Sequence, residues 1–519
     1  MAINKEELVQ RGKYGLRRAI FSRTGLVALL FLVQVGLLIS VMVWFQEWQA
    51  HVMGGSLALT MAAVLVVLNS DLDPTAKLTW MVVMTIVPVF GALFYWYTRR
   101  DVGHRMLKAV MTERQVQSRH QLSQDPAVWK ALSAREPGAA GMARYVRRSG
   151  CFPVFGGTEV TYYPMGEDYF EGLLRELEKA EKFIFMEYFI LDEGYFWDSV
   201  LDVLKRKAAS GVDVRVMYDG TCEFVLLPRH YPKELEKFGI QCQVFAPLEP
   251  FVSTHYNYRD HRKITVIDGK VAFTGGINLA DEYINAVEKY GHWRDSAIQL
   301  RGDAAWSFAL IFLQMWQMVT KQHEDIDRYR PAAASGTQDG FVQPYADSPT
   351  DDDNVGEHVY LQIINNAKRY LYINTPYLIV DDSMISALCL TAKSGVDVRI
   401  LTPHRWDKRI VHFTTRSYYR ELLRSGVKIY EYTIGFNHAK TFVSDDAVAT
   451  VGTTNLDFRS LYHHFECGTV LYGSRAVMEV KEDFLNTLPI CHGITQEELR
   501  SNVFVRMAQD VLRLFAPLM

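Results

Sequence analysis

The chain has no C-x-x-C pair, and its six cysteines (Cys151, Cys222, Cys242, Cys389, Cys467 and Cys491) are scattered, with no histidine at zinc spacing. Thiols placed this way read as packing residues rather than a disulfide framework or a structural zinc site. Excess positive charge is also missing. The net charge is -3, which gives no bulk reason to expect nucleic acid as a partner. Charged residues at 22% and aromatics at 13% exclude global disorder. A chain of 519 residues has room for about two to four domains, each with its own core.

Charge is absent altogether from residues 26–45, a run long enough to span a bilayer. Further apolar stretches cover 52–68 and 78–97. The first is too long for a cleaved signal peptide and has no clean small-residue cleavage site after it. Trp96 and Tyr97, followed by Arg99 and Arg100, have the make-up of an interfacial anchor. Residues 1–100 are therefore expected to form a multi-pass segment in the cell membrane. Lys5, Arg11, Lys13, Arg17, Arg18 and Arg23 precede the first stretch, and Arg99, Arg100, Arg105 and Lys108 follow the third. The positive-inside rule puts both groups in the cytoplasm, which requires an even number of crossings. One later stretch is then re-entrant or interfacial: the middle one begins at Gly54-Gly55, and the third carries Pro88 and Gly91. The catalytic part is expected on the cytoplasmic side.

After a connecting region at 101–157, the chain repeats itself. Ser210-Gly-Val-Asp-Val-Arg215 recurs word for word as Ser394-Gly-Val-Asp-Val-Arg399. Each copy follows a helix-like stretch and opens a short apolar strand. Strands alternating with helices predict two pseudo-symmetric α/β domains with mixed sheets, at 158–330 and 341–519. The small-residue segment 331–340 is the linker between them, and Asp351-Asp352-Asp353 reads as a solvated turn.

The repeats converge on a motif. His261-Arg-Lys263-Ile-Thr-Val-Ile-Asp268 is followed by Gly275-Gly276-Ile-Asn278, and His438-Ala-Lys440-Thr-Phe-Val-Ser-Asp445 by Gly452-Thr-Thr-Asn455. Both read H-x-K-x4-D-x6-G-[GT]-x-N. Positions i and i+2 of a strand share a side, so His261 projects with Lys263, and His438 with Lys440. If the halves pack about a pseudo-twofold axis, two histidines, two lysines and two asparagines line one pocket. Such a pocket suits a phosphodiester: lysines stabilise charge on non-bridging oxygens, and histidines carry covalent and proton transfer. It holds no cluster of metal ligands, and no cofactor is expected.

The paired motif resembles that of the phospholipase D superfamily, across both halves. More narrowly, the chain resembles bacterial cardiolipin synthases, through Asn257-Tyr-Arg-Asp-His-Arg-Lys-Ile264, Phe273-Thr-Gly-Gly-Ile-Asn278 and Gly452-Thr-Thr-Asn-Leu-Asp-Phe-Arg-Ser460. Asp73-Pro74, Lys77, Trp80 and Pro88-Val-Phe-Gly91 match the family's membrane segment. Thr453 stands where many members carry serine, and it keeps a hydroxyl.

The resemblance implies a ping-pong phosphatidyl transfer between two phosphatidylglycerol molecules, giving cardiolipin and glycerol without nucleotide or metal. The catalytic candidates are His261, Lys263, Asp268, His438, Lys440 and Asp445. By the superfamily pattern His261 is the nucleophile and His438 the acid/base, although pseudo-symmetry lets sequence alone exchange them. Asn278 and Asn455 are candidates to contact the phosphate. An acid downstream of each motif, Asp295 or Glu466, is the candidate to orient a histidine, leaving Asp268 and Asp445 to hold turns. His255, His292, His463 and His464 read as structural or exposed, and Tyr256, Tyr258 and Trp293 as core aromatics. The segment Phe504–Met519 is expected to pack on the second domain. Partners are bilayer phosphatidylglycerol and cardiolipin, with a homo-oligomer left open. A hydrolase releasing phosphatidic acid shares this chemistry. A soluble nuclease lacks the membrane segment, and a decayed scaffold would have lost motif residues.

Overall fold

The computed structural model describes residues 49–70, 74–99, 121–150, 152–228, 230–247, 258–331, 339–351 and 353–518, with a few isolated positions elsewhere. Nearly all of the first apolar stretch, most of the linker, Cys151, Asp352, His255 and Tyr256 lie outside the described residues.

The described part of the N-terminal unit is helical. Ala50–Leu68, with mean hydropathy 2.0, is the one described helix long and apolar enough to cross a bilayer. The third apolar stretch is not a single span. It divides into Pro74–Ile86 and Pro88–Arg99, since Pro88 cannot donate a backbone hydrogen bond and crowds the preceding turn. The two pieces fold back on each other, so the rings of Trp80 and Tyr95 lie 5.2 Å apart. Neither piece, at 13 and 12 residues, reaches the length of a span.

The second unit holds two mixed sheets of one design. The first runs Glu159–Tyr163, Ala297–Arg301, Val271–Gly275, Lys263–Ile267, Phe183–Tyr188, Asp213–Asp219, Gln241–Phe245. The second runs Phe341–Asp347, His464–Tyr472, Val448–Gly452, Thr441–Ser444, Tyr370–Asn374, Asp397–Pro403, Lys428–Tyr432, and adds Cys491–Gly493 at its edge. In both, the motif strand pairs antiparallel with the strand that leads a parallel trio. The repeated Ser-Gly closes the helix before the second of these three strands. Ser210 and Ser394 cap the helices, and Gly211 and Gly395 take positive φ of 92° and 96°.

Helix Ala305–Thr320 is apolar nearly all round and is buried over most of its length, as such a composition requires. It packs on strands of the first sheet and reaches strand Phe341–Asp347 of the second. The apolar cores join there: Ile264 and Leu300 of one half share a continuous cluster with Val451 and Phe465 of the other.

Two short parallel pairings cross between the halves and place the motifs. Arg259–Asp260, just before His261, pairs with His464–Phe465, just before Glu466. Gly435–Asn437, just before His438, pairs with His292–Arg294, just before Asp295. Buried Arg294 clamps the second seam, donating to Asn437 at 2.7 Å and to Asp483 at 2.5 Å. Breaking a buried pair of this kind costs about 3–5 kcal/mol.

Candidate active site

The crossed pairings fix which acid meets which histidine. His261 Nδ1 lies 2.9 and 3.1 Å from the two carboxylate oxygens of Glu466. His438 Nδ1 lies 2.5 Å from Asp295 Oδ2. Each histidine is thus oriented by an acid from the other half, and the main chain repeats the pattern: His261 N donates to Phe465 O, and His438 N to Arg294 O. A carboxylate at Nδ1 holds the proton there and leaves the Nε2 lone pair for chemistry.

Lys263 and Lys440 follow on the same side of their strands. Lys263 Nζ donates to His261 O at 2.6 Å, and Lys440 Nζ donates to His438 O and lies 2.8 Å from His438 Nδ1. All four groups are buried, and their charges act on one another. Burial, then Lys263 and Lys440, hold His261 well below the usual imidazole range. Burial and Lys440 bring His438 down to about 4 against the pull of Asp295. Burial lowers Lys263 to about 8 and Lys440 to about 7. Both histidines therefore rest neutral at pH 7, and a bound phosphate monoanion would raise all four groups toward protonation.

The motif aspartates, named both as catalytic candidates and as turn holders, bind main-chain groups. Asp268 accepts from the backbone N–H groups of Glu181, Lys182 and Phe183 at 2.7–2.9 Å. Asp445 does the same for Lys368, Arg369 and Tyr370 at 2.7–3.1 Å. Both sit at the far end of the motif strand from the histidine and pin the start of the neighbouring strand.

The asparagines divide. Asn278 is committed at both ends: Oδ1 accepts from Ile190 N at 2.9 Å, and Nδ2 donates to Tyr283 Oη at 2.7 Å. Asn455 is buried, and its Oδ1 has no partner among the described residues. Around the acids the halves also differ. Asp295 packs on Gly276, where a Cβ would stand 2.0 Å from Asp295 Oδ1. Glu466 receives a hydrogen bond from the Thr453 hydroxyl at the equivalent position, so that hydroxyl is already engaged.

Rings wall the histidines; the sequence named Trp293 and His464 only as core or structural residues and did not single out Phe189 and Tyr283. Trp293 lies 5.1 Å from His438, and His464 lies 5.2 Å from His261. Phe189 stands edge-on to His261 at 4.8 Å, and Tyr283 to His438 at 5.6 Å. A signal was available, because Trp293 and His464 each stand two residues before an orienting acid and so share its side of the strand. His261, His464 and Glu466 also have ligand atoms within 4.8 Å of one another, close enough to hold a metal ion. Two lysines in the same pocket oppose a further positive charge there.

The comparisons with known proteins identify the family. A family model described as cardiolipin synthase, PLD-like domain matches residues 173–292 and 360–488. A second, described as phospholipase D-nuclease N-terminal, matches residues 58–100. A cardiolipin synthase of Geobacillus kaustophilus is 35% identical, over 96% of this chain and 99% of its own. One from Halalkalibacterium halodurans is 34% identical, over 91% and 95%. An uncharacterized protein of Streptococcus mutans is 46% identical, over 88% and 99%. Among solved structures, the phosphatidylserine synthase of Haemophilus influenzae matches with a TM-score of 0.56 at 14% identity, over 72% of this chain and 97% of its own, which shows a shared fold. The chain belongs to the cardiolipin synthase family of phospholipase D-like proteins.

Proposed function

We propose that the protein is a phosphatidyltransferase that makes cardiolipin from two phosphatidylglycerol molecules. The observation that carries the reading is the crossed pair of histidine–acid contacts beside two buried lysines. That arrangement offers two neutral imidazoles and two cations to one phosphodiester.

His261 Nε2 attacks the phosphorus of the first phosphatidylglycerol. The bond to glycerol breaks, and His438, charged once the anion is bound, gives the leaving alkoxide its proton. A phosphatidyl-histidine remains. The terminal hydroxyl of a second phosphatidylglycerol then loses its proton to His438 and attacks the phosphorus, releasing cardiolipin and restoring His261. Lys263 and Lys440 meet the non-bridging oxygens as charge builds on them. Asn455, whose buried carbonyl oxygen has no donor among the described residues, would meet a substrate hydroxyl. One phosphodiester is exchanged for another, so the reaction is reversible, and water must be kept from the intermediate. The near-complete burial of both histidines and both lysines favours that exclusion.

The same reading places the protein in the bacterial cell membrane as a multi-pass protein. With the third apolar stretch folded back on itself, the first two give the even count of crossings that the basic flanks require. The catalytic unit is then cytoplasmic.

The test is incubation of the detergent-solubilised protein with phosphatidylglycerol alone, resolving lipids and free glycerol. Cardiolipin and glycerol in equal amounts support the reading. Phosphatidic acid as the only new lipid would make the protein a hydrolase.

A further inference from the structure

The C-terminal helix Val503–Leu514 was expected to pack on the second domain, and one side of it does. Arg513 reaches Glu421 at 3.3 Å and covers the Tyr418 ring at 4.3 Å, both on helix Arg409–Arg424. None of its residues is fully buried, however. Val503, Phe504, Met507 and Val511 are all more than half exposed, Phe504 at 77%. At 3.6 residues per turn these four fall within about 100° of arc, on the side away from Val505 and Leu512.

Beside this stripe lies a polar hollow of about 440 Å³ lined by Arg420, Arg424, Arg500 and Arg506, with Glu497 as its acidic member. None of the four guanidinium groups has a carboxylate within 4 Å among the described residues. Four arginines around one hollow, with no carboxylate partner among the described residues and next to an exposed apolar stripe, are complementary to a surface that is anionic outside and apolar within. A second copy of the chain fits less well, because a twofold contact there would set arginines against arginines.

We infer that this face is a docking surface for an anionic bilayer. The arginines take lipid phosphates in the hollow, and Val503, Phe504, Met507 and Val511 enter the boundary between headgroups and acyl chains. The inference does not depend on which reaction the histidines perform.

The test is amide hydrogen exchange of residues 503–514 in the full-length protein, held in lipid nanodiscs. Discs of phosphatidylcholine alone are compared with discs that also contain phosphatidylserine, an anionic lipid outside the proposed reaction. The His261→Ala background keeps lipid turnover from contributing. Each basic side chain near an anionic surface strengthens binding by about fivefold, so exchange should slow by at least about tenfold in the anionic discs. Replacing Arg424 and Arg506 by glutamine should remove most of that protection, and so should Phe504→Ser with Met507→Ser. Equal exchange in both discs would overturn the inference, as would protection that survives both sets of substitutions. Protection reproduced by inorganic phosphate in phosphatidylcholine discs would mean a site for a soluble anion instead. Protection in detergent that rises with protein concentration, together with a doubled mass, would assign the face to a second copy.

Discussion

The two halves share a strand order and a motif, yet they surround their histidines differently. Glu466 presents both oxygens to His261 and is held by the Thr453 hydroxyl, with a titratable ring, His464, alongside. Asp295 presents one oxygen to His438, spends the other on Ser296 N, lies against bare Gly276, and has an indole as its neighbour. Lys440 touches the imidazole nitrogen itself, whereas Lys263 reaches the main chain of His261 and stands over the Phe189 ring. Matching folds thus give the two histidines unmatched environments. A ping-pong reaction needs that difference, since one histidine must hold the phosphorus while the other cycles a proton.

The largest effect should not distinguish the halves. His261→Ala and His438→Ala should each lower kcat by about 10⁴- to 10⁶-fold, and the double variant should be no worse, because the two act as a unit. Residual activity in only one single variant would break the shared-site account.

The acids should separate them. In Asp295→Asn both oxygen positions already face donors, Ser296 N and His438 Nδ1, so the amide N–H₂ clashes either way. A loss of about 10³- to 10⁴-fold in kcat is expected. In Glu466→Gln the amide can face Thr453, whose hydroxyl turns to the Cys467 carbonyl 3.1 Å away, and His261 keeps its acceptor. That variant should lose only about 10- to 100-fold, a smaller share of the transition-state stabilisation. Equal losses would mean the surroundings of the two acids do not matter. Next in size, Gly276→Ala drives a Cβ into Asp295 and should cost about 100-fold, the usual penalty for misplacing a catalytic group by an ångström. Thr453→Ser should be nearly silent by the same assay.

Much of this was legible beforehand. The motif strands and the doubled α/β design follow from spacing and periodicity, because these are local properties, whereas the turn role of the motif aspartates came with the family resemblance. The break in the third apolar stretch could be read from Pro88. The crossed pairing could not, since Glu466 is 205 residues from His261 and Asp295 is 143 from His438. Only the two inter-half strand pairings settle it. The double commitment of Asn278 was hidden for the same reason, as its partner Ile190 lies 88 residues away. The C-terminal helix was half read: its apolar spacing was plain, but the sequence does not say that one arc packs while another stays exposed.

The lysines give a pH-dependent contrast. A lysine must be charged to hold the phosphodiester, and burial has lowered Lys440 to about 7 and Lys263 to about 8. In the free enzyme kcat/KM should therefore fall as pH rises through this range. His438, down at about 4, puts the acid limb well below neutrality. Arginine stays charged throughout, so Lys440→Arg should carry the onset of the alkaline limb up toward 8, whatever its overall rate. A small change comes from making the halves alike. His464 is pushed down to about 3 by burial and is neutral at working pH, so His464→Trp should alter kcat by no more than a few-fold. A large loss would mean that this ring carries protons as well as packing.

The division of labour is tested most directly by locating the intermediate. His438→Ala protein would be mixed with phosphatidylglycerol carrying a good leaving group in place of glycerol, quenched in alkali, and its peptides mapped by mass spectrometry. The account predicts one phosphatidyl group on the peptide containing His261, and none on any peptide in the matching His261→Ala experiment. A phosphatidyl adduct on His438 in the His261→Ala protein, or no adduct in either, would contradict it.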